Sequence, residues 1–121
     1  MEVRMNGRDH PKRVEKQLKT GNIVLLGKFV DRRLVGIILV SHDERKGWLN
    51  RLVVHPNYRR QGIARELIHA AEEYLLSEKG IEVYSALIYR DNEASTSIFR
   101  TSGYEQWDEV SYFSKRIKPG S

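Results

Sequence analysis

Between Trp48 and Tyr89 the apolar residues change their spacing twice, and few folds satisfy both changes. "WLNRLVVH" is short, branched and apolar, as a strand packed on a core requires. From Ile63 the spacing becomes three and four. Ile63, Leu67, Ile68, Ala71, Tyr74 and Leu75 then share one face of a helix, which Gly80 stops. "IEVYSALIY" returns to strand. A strand, a helix and a strand in that order make a βαβ unit with parallel strands, because the helix carries the chain back to its starting end.

The flanks build outward from this unit. "NIVLLGKFV" and "RLVGIILV" are apolar runs split by the turn "DRR", and "SHDERKG" turns the chain into the strand at Trp48. Three consecutive strands with short turns form an antiparallel meander. Upstream, His10-Pro11 suits a helix start with Asp9 or His10 as cap; that helix runs to Lys19, with Val14 and Leu18 as its apolar positions and Thr20-Gly21 as its stop. Downstream, "NEASTSIFRTSG" reads as a short helix capped by Asn92 and ended by Gly103. "YEQWDEV" and "SYFSKRI" read as a closing hairpin, followed by a fraying tail. The predicted order is α-β-β-β-α-β-α-β-β. It is an α+β fold whose mixed, mostly antiparallel sheet has a central βαβ unit and flanking helices. At 121 residues, with neither repeat nor linker, 1–121 is expected to be one domain.

Composition narrows the chemistry. With 40% hydrophobic and 31% charged residues the chain can build a core. It has no cysteine, which excludes disulfides, thiolate metal sites and a cysteine nucleophile. "MEVRMNGRDH" lacks the apolar centre of a secretory leader, and "LVGIILV" falls far short of the roughly 20 residues that span a bilayer. A soluble cytoplasmic protein with no membrane partner is expected. The net charge of +5 leaves room for an anionic ligand, whether cofactor or nucleic acid.

One stretch concentrates that charge. In "LVVHPNYRRQGIAREL" an apolar strand passes through a proline-marked turn into a helix whose mouth carries Arg59, Arg60, Gly62 and Arg65. The first four N–H groups of a helix have no internal partner, and the dipole puts about half a positive charge there. Gly62 has no Cβ to hold a ligand off. Cations at a positive helix end repel one another unless something negative lies among them, so these features form a cradle for a phosphate or pyrophosphate. Arginines turned to solvent beside an ordinary glycine account for the local pattern equally well.

The wider pattern separates the two. Arg59-x-x-Gly62-x-Ala64, following an apolar strand with His55-Pro56 and opening an amphipathic helix, resembles the GNAT superfamily of N-acetyltransferases. Its pyrophosphate loop reads Arg/Gln-x-x-Gly-x-Gly/Ala. "NEASTSIFRTSGY" is similar to the family's second signature, and the resemblance extends over about residues 23 to 113. A Walker loop or a dinucleotide fingerprint would need glycines and a lysine that are absent. The resemblance implies acetyl-CoA as cosubstrate, no metal, and transfer of its acetyl group by direct attack of a primary amine on a peptide, protein or small molecule. It implies that Leu52, Val53 and Val54 pair through their main chain with the pantetheine arm. Backbone N–H groups of Arg60, Gln61, Gly62, Ile63, Ala64 and Arg65, with the Arg59 side chain, would hold the pyrophosphate. Asn92 and Ser95 would contact the distal part of the arm, and Phe99 would lie near the thioester sulfur.

Two departures bear on catalysis. The family often has a tyrosine acid where this chain has Phe99, and often a glutamate on the strand where this chain has Asn50 and Arg51. Tyr104 and Tyr112 are alternatives for the acid, each read first as packing. His42, Asp43, Glu44 and His55 are alternatives for the base, read first as solvated turn residues or, for His55, a turn cap. The catalytic residues stay unassigned. The N-terminal region is short for the family, so part of the acceptor wall is either missing or supplied by a second copy; a homodimer is expected. Competing readings are an acyl-CoA-binding module without turnover and a basic nucleic-acid-binding domain; no zinc set or RNA-binding aromatic signature supports the latter.

Overall fold

The computed structural model describes residues 14–20 and 22–118. A five-stranded sheet runs in chain order: β1 (Val14–Thr20), β2 (Ile23–Val30), β3 (Arg33–His42), β4 (Gly47–Val54) and β5 (Tyr84–Ser85). The first four strands pair antiparallel and β5 joins β4 parallel, with Gly47 opposite Tyr84 and Trp48 opposite Ser85. Between β4 and β5 lie a 3-10 turn at Pro56–Tyr58 and the helix α1 (Ile63–Lys79); α2 (Glu93–Thr101) follows β5. The α+β class, the meander and the βαβ unit expected from the sequence are all present.

Local chemistry sets the turns. Asp31 and Arg32 both take left-handed backbone, φ 51° and 66°, the two-residue hairpin geometry whose twist matches the flanking strands. After β3, Asp43 Oδ1 accepts the N–H groups of Arg45 (3.0 Å) and Lys46 (2.8 Å). The hydrogen bonds from Lys46 and then Arg45 hold the Asp43 carboxyl below its ordinary range. Gly80 caps α1 in left-handed conformation, φ 68°, its N–H reaching back to Leu75 and Leu76.

α1 supplies the core. Leu67, Ala71 and Leu75 are fully buried against Val24, Ile38, Val40 and Leu49 of the sheet. Close approach is allowed by two glycines. A Cβ on Gly36 would come to 3.1 Å from Ile63 and Leu67, and one on Gly47 would run into Leu75. The helix therefore starts over the Val54 end of β4 and finishes over its Gly47 end, since Gly36 pairs with Val54. Seventeen helical residues rise about 25 Å, close to the length of an eight-residue strand.

Both ends of the chain depart from expectation. Residues 14–20 form a strand where a helix over His10–Lys19 was expected; the proposed caps at Asp9 and His10 lie outside the described residues. Thr20 pairs with Ile23 as the last residue of a strand, where the sequence was expected to stop a helix. A helix with two apolar positions had little to bury, whereas the free edge of β2 offered a full ladder. The closing hairpin is also absent: residues 104–118 contain no strand. Trp107, Val110, Tyr112, Phe113 and Ile117 stay exposed. A hairpin with no layer to cover it would order its backbone without removing apolar surface from water. The segment is tethered near its start by a hydrogen bond from Arg100 of α2 to Gln106, which in turn donates to Asp108. The observed order is β-β-β-β-α-β-α.

Candidate functional site

The site begins where β4 and β5 part. Their ladder ends at Trp48 and Ser85, while β4 continues for six residues to Val54 and Ala86–Tyr89 stays outside the sheet. Among the described residues the second half of β4 therefore has no parallel ladder partner. Within it β4 is bulged: Ile37 pairs with Val53 and Leu39 with Asn50, so Arg51 and Leu52 together oppose Ile38. Arg51 takes the strain, at φ 47°. Bulges break the regular ladder and re-aim the groups around them. Leu52 and Val54 are half-buried and Val53 is 54% exposed, so this edge of β4 is accessible. No sequence signal marks the bulge.

Beyond Val54 the chain turns sharply. His55 Nδ1 accepts from Asn57 N (3.1 Å), as its reading as a turn cap expects, and its ring meets Tyr58 edge-on at 5.8 Å. Arg59 Nε donates to Val54 O (3.2 Å), which leaves the outer guanidinium N–H groups directed away from the strand end. Arg60 and Gly62 are left-handed, φ 65° and 80°, with Gln61 between them on the ordinary side. Alternating backbone hand brings successive N–H groups to one side of a loop, the geometry of an anion nest. For Arg60 that conformation costs roughly 1–2 kcal/mol.

Gly62 is the N-cap of α1 and no side chain caps the helix. The first intrahelical bond is Glu66 N to Gly62 O (3.0 Å), so the N–H groups of Ile63, Ala64 and Arg65 precede the ladder. A Cβ built at Gly62 meets nothing within 4 Å. Open space, uncapped amides and the exposed arginines 59, 60 and 65 fit a diphosphate. Arg65 Nη2 also donates to Thr101 Oγ1 (3.0 Å), tying α1 to α2. Ile63 itself sends its side chain into the core, 4% exposed, so only its main chain faces this loop.

The α2 residues are placed as follows. Asn92 Oδ1 accepts Ser95 N (3.1 Å), confirming Asn92 as the cap and occupying its carbonyl. Ser95 is half-buried in the first turn. Phe99 is buried at 5% exposure, its ring edge-on to Tyr104 at 5.0 Å. Tyr104 donates to Glu72 Oε2 of α1 (2.7 Å). Burial first, then that hydrogen bond and the Glu72 charge, push its phenol well above the ordinary range. Tyr104 is thus a strut between α1 and α2. Tyr112 is 74% exposed.

The base candidates scatter. His42 is 7% exposed on β3, level with Gly47 at the far end of β4 from Val54, and its Nδ1 accepts Glu44 N (3.1 Å). Asp43 is spent on its own turn. Asn50 Nδ2 donates to Ser41 Oγ (3.3 Å), beside the bulge. Sequence reasoning also missed Lys28, a 2% exposed lysine hydrogen-bonded to Glu66 (2.7 Å); a lone charge inside the run "LLGKFV" was the available signal. Among the described residues no group of three or more His, Asp or Glu could hold a metal ion, and no helix is long and apolar enough to cross a membrane.

Comparison with known proteins gives a consistent picture. The model of the acetyltransferase (GNAT) family matches residues 4–104. An acetyltransferase of Sodalis glossinidius (strain morsitans) is 32% identical over 104 residues, covering 86% of this chain and 72% of that protein. Among solved structures, the aminoglycoside N-acetyltransferase AAC(6')-Iy in complex with CoA superposes with a TM-score of 0.70 at 20% identity, covering 80% of this chain and 78% of the other. A ribosomal-protein-alanine N-acetyltransferase from Brucella melitensis biovar Abortus 2308 superposes with a TM-score of 0.69 at 22% identity, covering 78% and 72%. At those identities the two structures establish a shared fold.

Proposed function

This chain belongs to the acetyltransferase (GNAT) family, an acetyl-CoA-dependent N-acyltransferase, and from that premise we propose where its cofactor lies and how much of the chemistry its residues perform. The diphosphate of acetyl-CoA sits on the loop from Arg59 to Arg65, on the uncapped amides after Gly62. The pantetheine arm lies along Leu52, Val53 and Val54, beyond the end of the β4–β5 ladder. Asn92, through its free amide N–H groups, and Ser95 meet the arm from α2, and Phe99 forms the apolar floor. The observation that carries this reading is the left-handed, uncapped, sterically open Gly62 at the start of α1, next to the unpaired half of β4.

Bound acetyl-CoA supplies an acyl group on a thiol leaving group, far more acidic than the alcohol of an oxygen ester and so less dependent on protonation to depart. The chain aligns that group, and a main-chain N–H of Val53 or Val54, beside the bulge, polarises its carbonyl. With Phe99 in place of a phenol and Tyr104 bound to Glu72, no side chain of the site is assigned as acid. The acceptor amine enters as its own neutral fraction. The pH dependence then belongs to the acceptor: kcat/KM should level off near pH 8 for an α-amino acceptor and near 10.4 for an ε-amino one. One plateau shared by both acceptors would instead reveal a base on the protein.

The acceptor is read as a primary amine of a peptide or protein, with small polyamines and aminoglycosides as the contrasting classes. The reading includes residues 1–121 as one domain, a cytoplasmic location suited to a chain without cysteine, and a homodimer. A thiol-release assay across peptides, polyamines and aminoglycosides tests the activity. Gly62→Trp fills the open space and should abolish acetyl-CoA binding, while its left-handed backbone strain costs only about 1–2 kcal/mol of stability. Unchanged cofactor affinity in that variant removes the site.

A further inference from the structure

Lys28 does not fit a purely structural account. It is 2% exposed in β2, and its ammonium meets Glu66 Oε2 at 2.7 Å. Removing an ammonium from water is expensive, and an apolar residue of similar volume is usually at least as stabilising. A charge held there invites a reason beyond stability. Its neighbours supply one. Lys28 pairs with Gly36, and Gly36 pairs with Val54, the residue whose carbonyl binds Arg59. Lys28 therefore stands in the row of the sheet that lies directly under the start of α1.

Glu66 is the one acidic residue in the first turn of α1, and it lines the same groove as Gly62 and Arg65. A carboxylate there favours the bare helix end, because it complements the dipole. It opposes a bound diphosphate, because two like charges within one helical turn repel. We propose that Lys28 is a positioning residue for acetyl-CoA: its ammonium neutralises Glu66 and draws that carboxylate down toward β2, so the mouth of α1 stays net attractive to the diphosphate. The inference rests on the site reading above and assigns the mechanism by which an acidic first turn is made compatible with it. Lys28 acts through Glu66 and touches neither the acetyl group nor the amine.

The test compares acetyl-CoA with acetyl-pantetheine, a donor without the diphosphate, in wild type, Lys28→Met, Glu66→Gln and the double variant. Lys28→Met should raise KM for acetyl-CoA about ten-fold, the effect of one unmatched charge in a partly exposed site, and leave kcat in place. Its KM for acetyl-pantetheine should move less than about two-fold on the same grounds. The double variant should return near wild type, because the repelling charge is gone. Equal shifts for both donors, or a double variant as weak as Lys28→Met, would show a purely structural ion pair and overturn the proposal. Should Lys28→Met fail to fold, Glu66→Gln decides: affinity for acetyl-CoA held or tightened supports the proposal, and weakened affinity overturns it. A wild type that binds both donors equally removes the diphosphate site and this inference with it. A wild type that prefers acetyl-CoA, with variants that do not discriminate, removes the inference alone.

Discussion

Single side chains here hold two jobs apart. Arg60 and Gly62 accept left-handed backbone, and the helix they open has no side-chain cap on its first amides. Tyr104 does the opposite work, closing a contact. Its phenol is kept protonated by burial and by donation to Glu72, so its pKa is raised in the fold. A raised pKa contributes stability that is whole below the unfolded value of 10.0 and is lost as pH climbs toward the folded one. Tyr84 shifts in the same direction, through burial and then Glu72 and Glu82. Thermal melts should therefore show a midpoint that falls above pH 10.0, and Tyr104→Phe should flatten that fall without abolishing it. A variant with the wild-type alkaline slope would mean that the Tyr104 phenol titrates freely in the fold.

Elements succeed or fail by what they can cover. α1 matches β4 in length and brings Leu67, Ala71 and Leu75 to the sheet across Gly36 and Gly47. Leu75→Ala should cost about 2–5 kcal/mol, read from urea unfolding, since the surrounding residues collapse only partly into the vacated volume. Because α1 also carries the amides of the site, that loss should lower the melting temperature while acetyl-CoA still binds the folded fraction. β5 shows the converse. Only Tyr84 and Ser85 join the sheet, although the apolar run "IEVYSALIY" reads as a full strand. The missing ladder is what leaves the edge of β4 open.

At the scale of the molecule, the proposed cofactor site lies at one end of the sheet, and among the described residues the C-terminal segment is exposed. Trp107 (65%), Phe113 (89%) and Ile117 (82%) are exposed beyond the last helix, and apolar side chains left in water are material for a contact site where they cluster. The homodimer proposed above gives it a partner. Light scattering across a concentration series should report twice the chain mass, and a strict monomer at high concentration would withdraw the dimer. Cofactor binding has a global readout as well. Acetyl-CoA at about a hundred times its Kd should add roughly 2.7 kcal/mol of stability, visible as a rise in melting temperature.

The βαβ unit, the meander and the caps at Asn92 and Gly80 were legible from the chain alone, because each rests on spacing or on a residue's own backbone preference. The start of α1 after Gly62 was legible too, since the glycine and the periodic apolar run are neighbours in sequence. Residues 14–20 and 104–118 were misread because their local pattern is weak and the outcome turns on partners: β2 offers the first segment an edge to pair with, while nothing in the described chain covers the second. The bulge at Arg51 and the clasp between Lys28 and Glu66 join residues from separate elements, and no local preference encodes them. Sequence determined the meander, the βαβ unit and the helix that begins after Gly62. Tertiary packing alone decided where β4 is left unpaired and which charges meet beneath the helix, because both depend on distances between segments far apart along the chain.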